Sequence, residues 1–336
     1  MIAVEYLSDL RKACADPAPG ALLAGAEAPF DRAEWWEGLV RYCGLTPLYV
    51  LARGPDGMAL VPLARIGNGV AAPLANWYSF RWRPLVSPGA DATALLAAVF
   101  RDLARHHWRL ALDHVPAEDG SATLVAAALR EAGWRVTISQ GDINHVLPVA
   151  GRTFAEYLAA RPGPLRSTLK RKGGRVACEV LPRFSAEAWA AYEAVYAASW
   201  KGEEGSPAFL RAFAEAEGEA GRLRLGIARV GGEPVAAQLW TVEAGTAFIH
   251  KLAYREDARA FSPGTALTAA LMTRVIDEDH VDLVDFGTGD DAYKRDWMEQ
   301  ARPRFRVLAL KPADPRTWAW LAGKALRRLA PAAWRG

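Results

Sequence analysis

One stretch limits the fold more than any other. Residues 250–297 read as strand, tight loop, helix, strand and the start of a second helix. The loop is Ser262-Pro263-Gly264-Thr265. Serine suits an N-cap, proline suits the first helical position, and glycine lets a ligand approach the backbone. The third helical position holds Thr265, not the Glu or Gln of a capping box. No carboxylate competes for the N–H groups of Gly264, Thr265 and Ala266, so this helix start is expected to hold an anion. Leu267, Leu271 and Val275 recur at a spacing of four, as do Met272 and Ile276, which gives the helix a broad apolar face. The next strand, residues 281–286, runs into Gly287-Thr288-Gly289. A strand–helix–strand unit of this length implies parallel strands joined by a right-handed crossover, with ligands at their carboxyl ends.

Elsewhere the pattern is regular. Residues 31–43 read as a helix with Asp31 as its cap. Residues 48–53 and 58–66 form a hairpin around a Pro/Gly turn, and residues 76–80 follow as a loop or strand end. Helices are expected at 93–107 and 121–132, and strands at 108–115 and 134–138. The second half repeats this order. Strands at 222–230 and 233–242 flank Gly231-Gly232, a two-residue hairpin turn, and a third strand spans 246–254. Residues repeat as well: 92–99 (ATALLAAV) lies beside 264–271 (GTALTAAL), and at the same offset Asp113 falls on Asp285. Ser87-Pro88-Gly89 parallels Ser262-Pro263-Gly264, with a small insertion before the helix.

Between the halves, Thr153 and Glu156 make a capping-box start. A second short helix then carries Arg166, Lys170, Arg171, Lys172 and Arg175. This cluster is a solvated face, a phosphate binder or a tRNA contact. The tail, residues 318–334 with Arg335 beyond, sets Lys324, Arg327 and Arg328 among Trp, Leu and Ala, as a capping helix or a membrane-surface helix.

Composition narrows the class. A chain of 336 residues suits two domains. Hydrophobic residues at 51% and charged residues at 24% describe a globular protein, and a net charge of +3 is too small to argue nucleic-acid binding. The first residues carry acids early and no long apolar run, unlike a signal peptide, and no stretch approaches a membrane span. A cytoplasmic protein is expected. Cys14, Cys43 and Cys178 are far apart, without metal spacing, and are expected as reduced thiols. Neither a phosphate loop ending in Gly-Lys-Ser/Thr nor a Gly-x-Ser-x-Gly elbow occurs, and no metal is expected.

Five pieces keep order and spacing over residues 150–310: ASWKGEE at 198–204, PVAAQLW at 234–240, HKLAY at 250–254, SPGT at 262–265, and Asp285-Phe286-Gly287 through Tyr293-Lys294 to Trp297. On these pieces the chain resembles the GNAT acyltransferase superfamily. More narrowly it resembles the branch associated with bacterial cellulose and exopolysaccharide synthesis (the CelD/BcsL type), related to Fem-like transferases. The common pyrophosphate loop of that superfamily, Q/R-x-x-G-x-G/A, is depleted in glycine here, since Arg259 leads only to Gly264. The resemblance implies an α/β fold with a mixed sheet, built as two tandem GNAT-like domains. The first is a degenerate copy over 1–150, the second the acyltransferase over 151–312, and a basic amphipathic tail covers 313–336. It implies acetyl-CoA or a longer acyl-CoA as co-substrate. The acceptor is then an amino sugar or related small-molecule precursor of envelope polysaccharide, attacked by its amine directly on the thioester. A Fem-like reading replaces the donor by aminoacyl-tRNA, and nucleic acid is otherwise not expected as a partner. A third reading is a non-catalytic subunit of a polysaccharide synthesis machine. The tail adds a possible peripheral membrane contact.

Acyl transfer needs the amine to lose a proton, the oxyanion to be stabilised and the thiolate to gain a proton. By the resemblance, a main-chain group near Lys251, Leu252 and Ala253 serves the oxyanion, and Tyr293 serves the thiolate or is a packed aromatic. Asp285 and His250 are candidate bases, each with a structural alternative. Ser262, Pro263, Gly264, Thr265 and Ala266 would cradle the coenzyme phosphates, with Lys251 and Lys294 as neutralising groups. Trp200 offers a flat face to a sugar or an acyl chain. Lys201, Glu204 and Gln238, with Asn76 and Tyr78 from the first half, complete the acceptor side.

Overall fold

The computed structural model describes residues 1–7, 10 and 17–329. Cys14, Trp334 and Arg335 lie outside the described residues. The first half runs β1 (Ala3–Leu7), α1 (Pro17–Ala24), α2 (Ala33–Cys43), β2 (Pro47–Gly54), β3 (Gly57–Gly67), β4 (Val70–Pro73), β5 (Leu85–Val86), α3 (Ala92–Leu103), β6 (Arg109–Pro116), α4 (Ser121–Glu131) and β7 (Arg135–Pro148). After α5 (Phe154–Ala159) and α6 (Gly163–Lys172), the second half runs β8 (Ala177–Leu181), α7 (Ala186–Ala197), α8 (Pro207–Glu219), β9 (Leu223–Val230), β10 (Glu233–Glu243), β11 (Thr246–Tyr254), α9 (Pro263–Thr273), β12 (Leu283–Thr288), α10 (Ala292–Trp297), β13 (Gln300–Leu310) and α11 (Pro315–Leu329).

Among the described residues, thirteen strands form one mixed sheet in the order β1-β2-β3-β4-β6-β13-β7-β12-β11-β10-β9-β8, with β5 on β3. The halves mirror each other. In the first, β4 pairs parallel with β6; in the second, β11 pairs parallel with β12. Each half is completed by a strand of the other: β13 pairs with β6, β7 pairs with β12, and β7 and β13 pair with each other down the middle. A boundary at residue 150 therefore separates the repeats in sequence but not in the sheet.

Strand alternation divides the cores. Tyr49 and Leu51 face a central layer with Trp35 and Trp36 of α2, Trp189 of α7 and Phe209 of α8. Leu48, Val50 and Ala52 face α3 and α4 on the other side. In the second half the apolar face of α9, Leu267, Leu271 and Met272, packs on that same side with α5 and α6. The Thr153–Glu156 capping box starts α5 as read. Gly231 and Gly232 both have positive φ, 59° and 88°, as a two-residue hairpin turn requires.

Three local expectations are corrected. Asp31 does not cap α2; its buried carboxylate accepts from Arg81 at 2.5 Å and Arg83 at 3.1 Å, and Arg32 precedes the helix without a side-chain cap. The strand expected at 134–138 continues to Pro148, where Asn144 bonds Asp285 of the neighbouring β12 and His145 bonds Asp290 just beyond it. β13 is an added strand in which charged residues alternate with Pro303 and Phe305.

Candidate functional site

The sheet opens where the opening motif predicts a ligand. β11 and β12 share register only at Thr246–Leu283, Ala247–Val284 and Phe248–Asp285. Past that point β11 runs on beside β10 alone, so its free edge has main-chain groups without a strand partner. A slot of about 270 Å³ fills the divergence, lined by Leu252, Tyr254, Gly264, Thr265, Phe286 and Tyr293 among others. Ala253 points away, into the central core.

The start of α9 forms one end of this slot. Ser262 is left-handed (φ 52°, ψ 48°), and its side chain caps nothing. Its hydroxyl instead accepts from Lys172 Nζ at 3.2 Å. The N–H of Ala266 donates to the Ser262 carbonyl at 3.2 Å, closing the first helical bond. That corrects the expected set of open donors to Gly264 and Thr265, whose N–H groups have no acceptor among the described residues. Pro263 is buried at the first helical position and has no N–H to offer. Gln238, fully buried, donates to the Gly264 carbonyl at 3.2 Å and to Thr268 Oγ1 at 2.8 Å. It fixes the helix start and does not border the slot. Two open N–H groups, a helix dipole and the Lys172 ammonium converge on one spot, which suits a diphosphate.

The first half lacks both features. The Asp91 carboxylate accepts from Ala94 N–H at 3.0 Å and occupies the start of α3. Trp82, buried, donates its N–H to His114 at 3.0 Å and its indole to Pro62 at 2.7 Å, filling the gap beyond β4 and β6.

Beside that slot, sharing Leu252, Phe286 and Tyr293 with it, lies a polar chamber of about 190 Å³. Lys201, Lys251, Lys294, Asp291, His250 and Phe80 border it. Lys201 also borders a groove of about 780 Å³ lined by Trp189, Tyr192, Tyr196, Leu210, Glu203 and Glu204. Tyr293 therefore borders both slot and chamber, and Lys201 borders both chamber and groove.

Lys251 Nζ lies 2.7 Å from Glu204 Oε1, over the rings of Tyr78 and Tyr196 at 4.8 and 5.5 Å. The same carboxylate oxygen accepts from Tyr78 OH at 2.7 Å, and Tyr78 OH accepts from Ser206 N–H at 2.8 Å. Tyr78 thus clamps the loop after α7. Asn76 is a support one step back: its Oδ1 accepts from Tyr78 N–H at 3.0 Å, and it borders none of the three spaces. Lys294 is buried, donates to the Thr288 carbonyl and faces Asp291 at 3.9 Å. Burial lowers its pKa, against the pull of Asp291. Both lysines face the chamber, while Lys172 is the ammonium beside the helix start. Tyr293, 41% exposed, meets the Phe286 ring edge-on at 5.5 Å; partial desolvation and nearby Asp291 raise its phenol pKa, so it keeps its proton at neutral pH. Trp200 packs on Tyr254 at 4.4 Å and borders the slot, not the groove.

The two candidate bases are placed differently. Asp285 is buried behind the chamber, and its carboxylate accepts from Asn144 at 3.1 Å and from Gly287 N–H at 2.8 Å. Burial raises its pKa, opposed by Arg304. The bond holds Gly287 at φ 70°, where a Cβ would meet the Phe80 ring at 2.8 Å. His250 forms chamber wall, with Nε2 bonded to Thr241 Oγ1 at 2.8 Å and rings of Phe213 and Phe80 at 5.0 and 5.5 Å. Burial, then the charges of Arg32 and Lys251, push it down to about 3, so it is neutral at physiological pH. Residues outside the sequence reading also line the site: Phe80, Asp291 and the aromatic stripe Trp189, Tyr192 and Tyr196, whose helical spacing on α7 was its signal.

Among the described residues no cluster of His, Cys, Asp and Glu could hold a metal ion, and no helix is long and apolar enough to cross a membrane. Cys43 and Cys178 are free thiols. No curated protein matches the chain in sequence. Solved structures match its fold. The C-terminal domain of a putative lysylphosphatidylglycerol synthetase from Agrobacterium fabrum aligns over 94% of this chain and 97% of its own, at 13% identity and a TM-score of 0.59. FemX aligns over 90% and 96%, at 11% identity and a TM-score of 0.60. A tandem GNAT protein from the clavulanic acid biosynthesis pathway aligns over 94% and 100%, at 16% identity and a TM-score of 0.55. Residues 164–295, which hold the slot, the chamber's lysines and the groove, match the acetyltransferase (GNAT) domain family, and with these GNAT-fold neighbours they support an acyltransferase.

Proposed function

We propose that the chain transfers an acyl group, acetyl in the simplest case, from acyl-CoA to an amine. The carrying observation is the placement of Tyr293 between a slot ending at an anion-ready helix start and a polar chamber, with Lys201 between that chamber and an open groove. The N–H groups of Gly264 and Thr265 and the Lys172 ammonium bind the diphosphate. The free edge of β11 supplies the main-chain donor for the oxyanion. Tyr293 gives its proton to the departing thiolate. The groove suits an amino sugar: the half-buried Tyr196 ring, backed by buried Trp189 and Tyr192, gives an apolar wall, and exposed Glu203 draws an ammonium inward. A sugar destined for envelope polysaccharide is the role that resemblance to the cellulose-associated branch implies.

Calorimetric titration with acetyl-CoA, a long-chain acyl-CoA and free coenzyme A tests this. Micromolar binding is expected, and the ranking of the ligands reports acyl length. No binding to any of them overturns the proposal. Tyr293→Phe should lower kcat on the order of 100-fold with donor affinity unchanged, as expected for loss of a general acid; an unchanged kcat would assign Tyr293 to packing.

A second reading takes the acyl group from aminoacyl-tRNA. It is favoured by the exposed basic face of α6 next to Ser262, and FemX is among the fold neighbours. Arg166→Glu with Arg171→Glu should then abolish tRNA retention in a gel-shift assay, and a wild-type chain that retains no tRNA removes this reading.

A further inference from the structure

An ammonium cannot attack a thioester, so the acceptor must lose a proton at the chamber. The acidic groups nearby are poorly placed to take it. Asp285 is spent on Asn144 and Gly287, and His250 is bonded to Thr241. Glu204 Oε1 is held by Tyr78 and Lys251, and its Oε2 is sealed from solvent. Asp291 is largely solvated at the rim, facing Lys294.

Lys201 differs from all of these. It borders both the chamber and the groove. Its backbone N–H is fixed on Ser199 Oγ at 3.3 Å, at the loop that Tyr78 clamps. Its ammonium forms no hydrogen bond or ion pair among the described residues, and its contact is the Trp200 ring, 5.7 Å away. Every other ammonium at the site is engaged: Lys251 by Glu204, Lys294 by Thr288, Lys172 by Ser262.

Resting on the acyl-transfer reading above, we propose that Lys201, as the free amine, is the catalytic base that takes the proton from the acceptor nitrogen. The acceptor ammonium first gives a proton to Lys201 Nζ, which passes it to solvent; the freed lone pair then forms the C–N bond, the C–S pair leaves on sulfur, the second nitrogen proton goes to Lys201 Nζ, and the Tyr293 proton goes to sulfur. Lys201 again loses its proton to solvent and Tyr293 regains one, so the balance is ammonium plus thioester to amide, thiol and one released proton. The charges around Nζ support this role. Burial first, then Lys251 on β11 and Lys294 on α10, lower its pKa to about 8, against Glu204 on its own loop and Asp291. A base poised there is neutral often enough near pH 7 and still accepts a proton readily.

The test has two arms. In protein carrying ¹³C-labelled lysine, the Lys201 signal, identified by its loss in Lys201→Arg, should titrate near pH 8 while solvated lysines titrate about two units higher. A Lys201 that stays charged beyond pH 9 overturns the proposal, whichever amine the protein accepts. In the second arm, acetyl-CoA is donor and glucosamine the acceptor probe. The wild-type rate should rise through pH 8 and level off above it. Lys201→Arg keeps the charge but cannot deprotonate, so it should lose roughly 100-fold in kcat and the pH limb with it, with acetyl-CoA affinity held. A limb that persists in Lys201→Arg and vanishes in Asp291→Asn overturns the proposal in favour of Asp291. Loss of acetyl-CoA binding in the wild type would instead remove the donor reading, and calorimetry separates the two failures.

Discussion

Glutamate at position 264 should abolish coenzyme binding and leave the fold standing. A Cβ on Gly264 would lie 3.2 Å from the Tyr254 ring, a tight contact that a small shift relieves. The carboxylate beyond it is the larger effect. It would reach the N–H groups that have no acceptor, as Asp91 does at the start of α3, and so occupy the anion position itself. It would also repel the diphosphate; like charges about 4 Å apart at a surface-like dielectric cost about 4 kcal/mol, or roughly 1,000-fold in affinity. An acidic side chain at a helix start is mildly stabilising, so thermal stability should hold within a few degrees. Gly264→Ala separates bulk from charge and should cost about tenfold or less, on the order of 1 kcal/mol. Calorimetry with coenzyme A and a melting curve on each variant give both readouts. Unchanged affinity in Gly264→Glu would remove the anion site from α9.

Arg304→Met is expected to be the most destabilising single change near the site. Arg304 is 1% exposed, yet its guanidinium donates to the Phe80 carbonyl at 3.0 Å, to Glu118 at 2.8 Å and to the Pro303 carbonyl at 3.2 Å. It ties β13, a strand from the second half, to the loop of the first half that carries Phe80. Methionine fills much of the space but donates nothing. The Phe80 carbonyl is orphaned, and buried Asp285 loses a compensating positive charge. Removing one side of such a buried charge set costs about 3–5 kcal/mol. The melting temperature should fall by about 4–7 °C. Phe80 borders the chamber, so the acceptor KM should rise while donor affinity holds. Arg304→Lys should not rescue, since one ammonium cannot reproduce the planar fork. A melting curve within 2 °C of wild type, or rescue by lysine, would show that the guanidinium is not the tie.

The strand–helix–strand core was legible because its signals are local: a period of four in α9, a proline and glycine at its start, and paired glycines between β9 and β10. The centre of the sheet was not. Asn144 and His145 in β7, and Arg302, Arg304 and Arg306 in β13, gave no strand pattern because their partners are distant in sequence; Asn144 meets Asp285 across 141 positions. The same blindness affects the site. A polar residue at a strand end is visible, but not the group that already occupies it, so Asp285 and His250 could be read only as candidate bases beside a structural alternative. Trp189, Tyr192 and Tyr196 have the spacing of a core stripe, and only the clamp by Tyr78 on the following loop leaves a groove beside them. The basic cluster on α6 was visible as charge, whereas the reach of Lys172 to Ser262 depends on how α6 packs against α9.

The exchange of strands between the halves also sets a timetable for synthesis. On the ribosome β6 emerges long before β13, and Leu112 must wait for Val307. At typical elongation rates of 5–20 residues per second, that delay is on the order of ten seconds or more. Throughout it the first repeat has an open edge and no way to close. The waiting segments are dressed for this: the early part of β7 is exposed and polar through Thr137, Ser139, Gln140 and Asp142, and β6 carries Asp113 and His114 at its rim. Charged and polar edges discourage pairing between nascent chains. A fold whose halves share strands thus forms a single sheet, and its exposure to aggregation is concentrated in the interval before the last strand arrives.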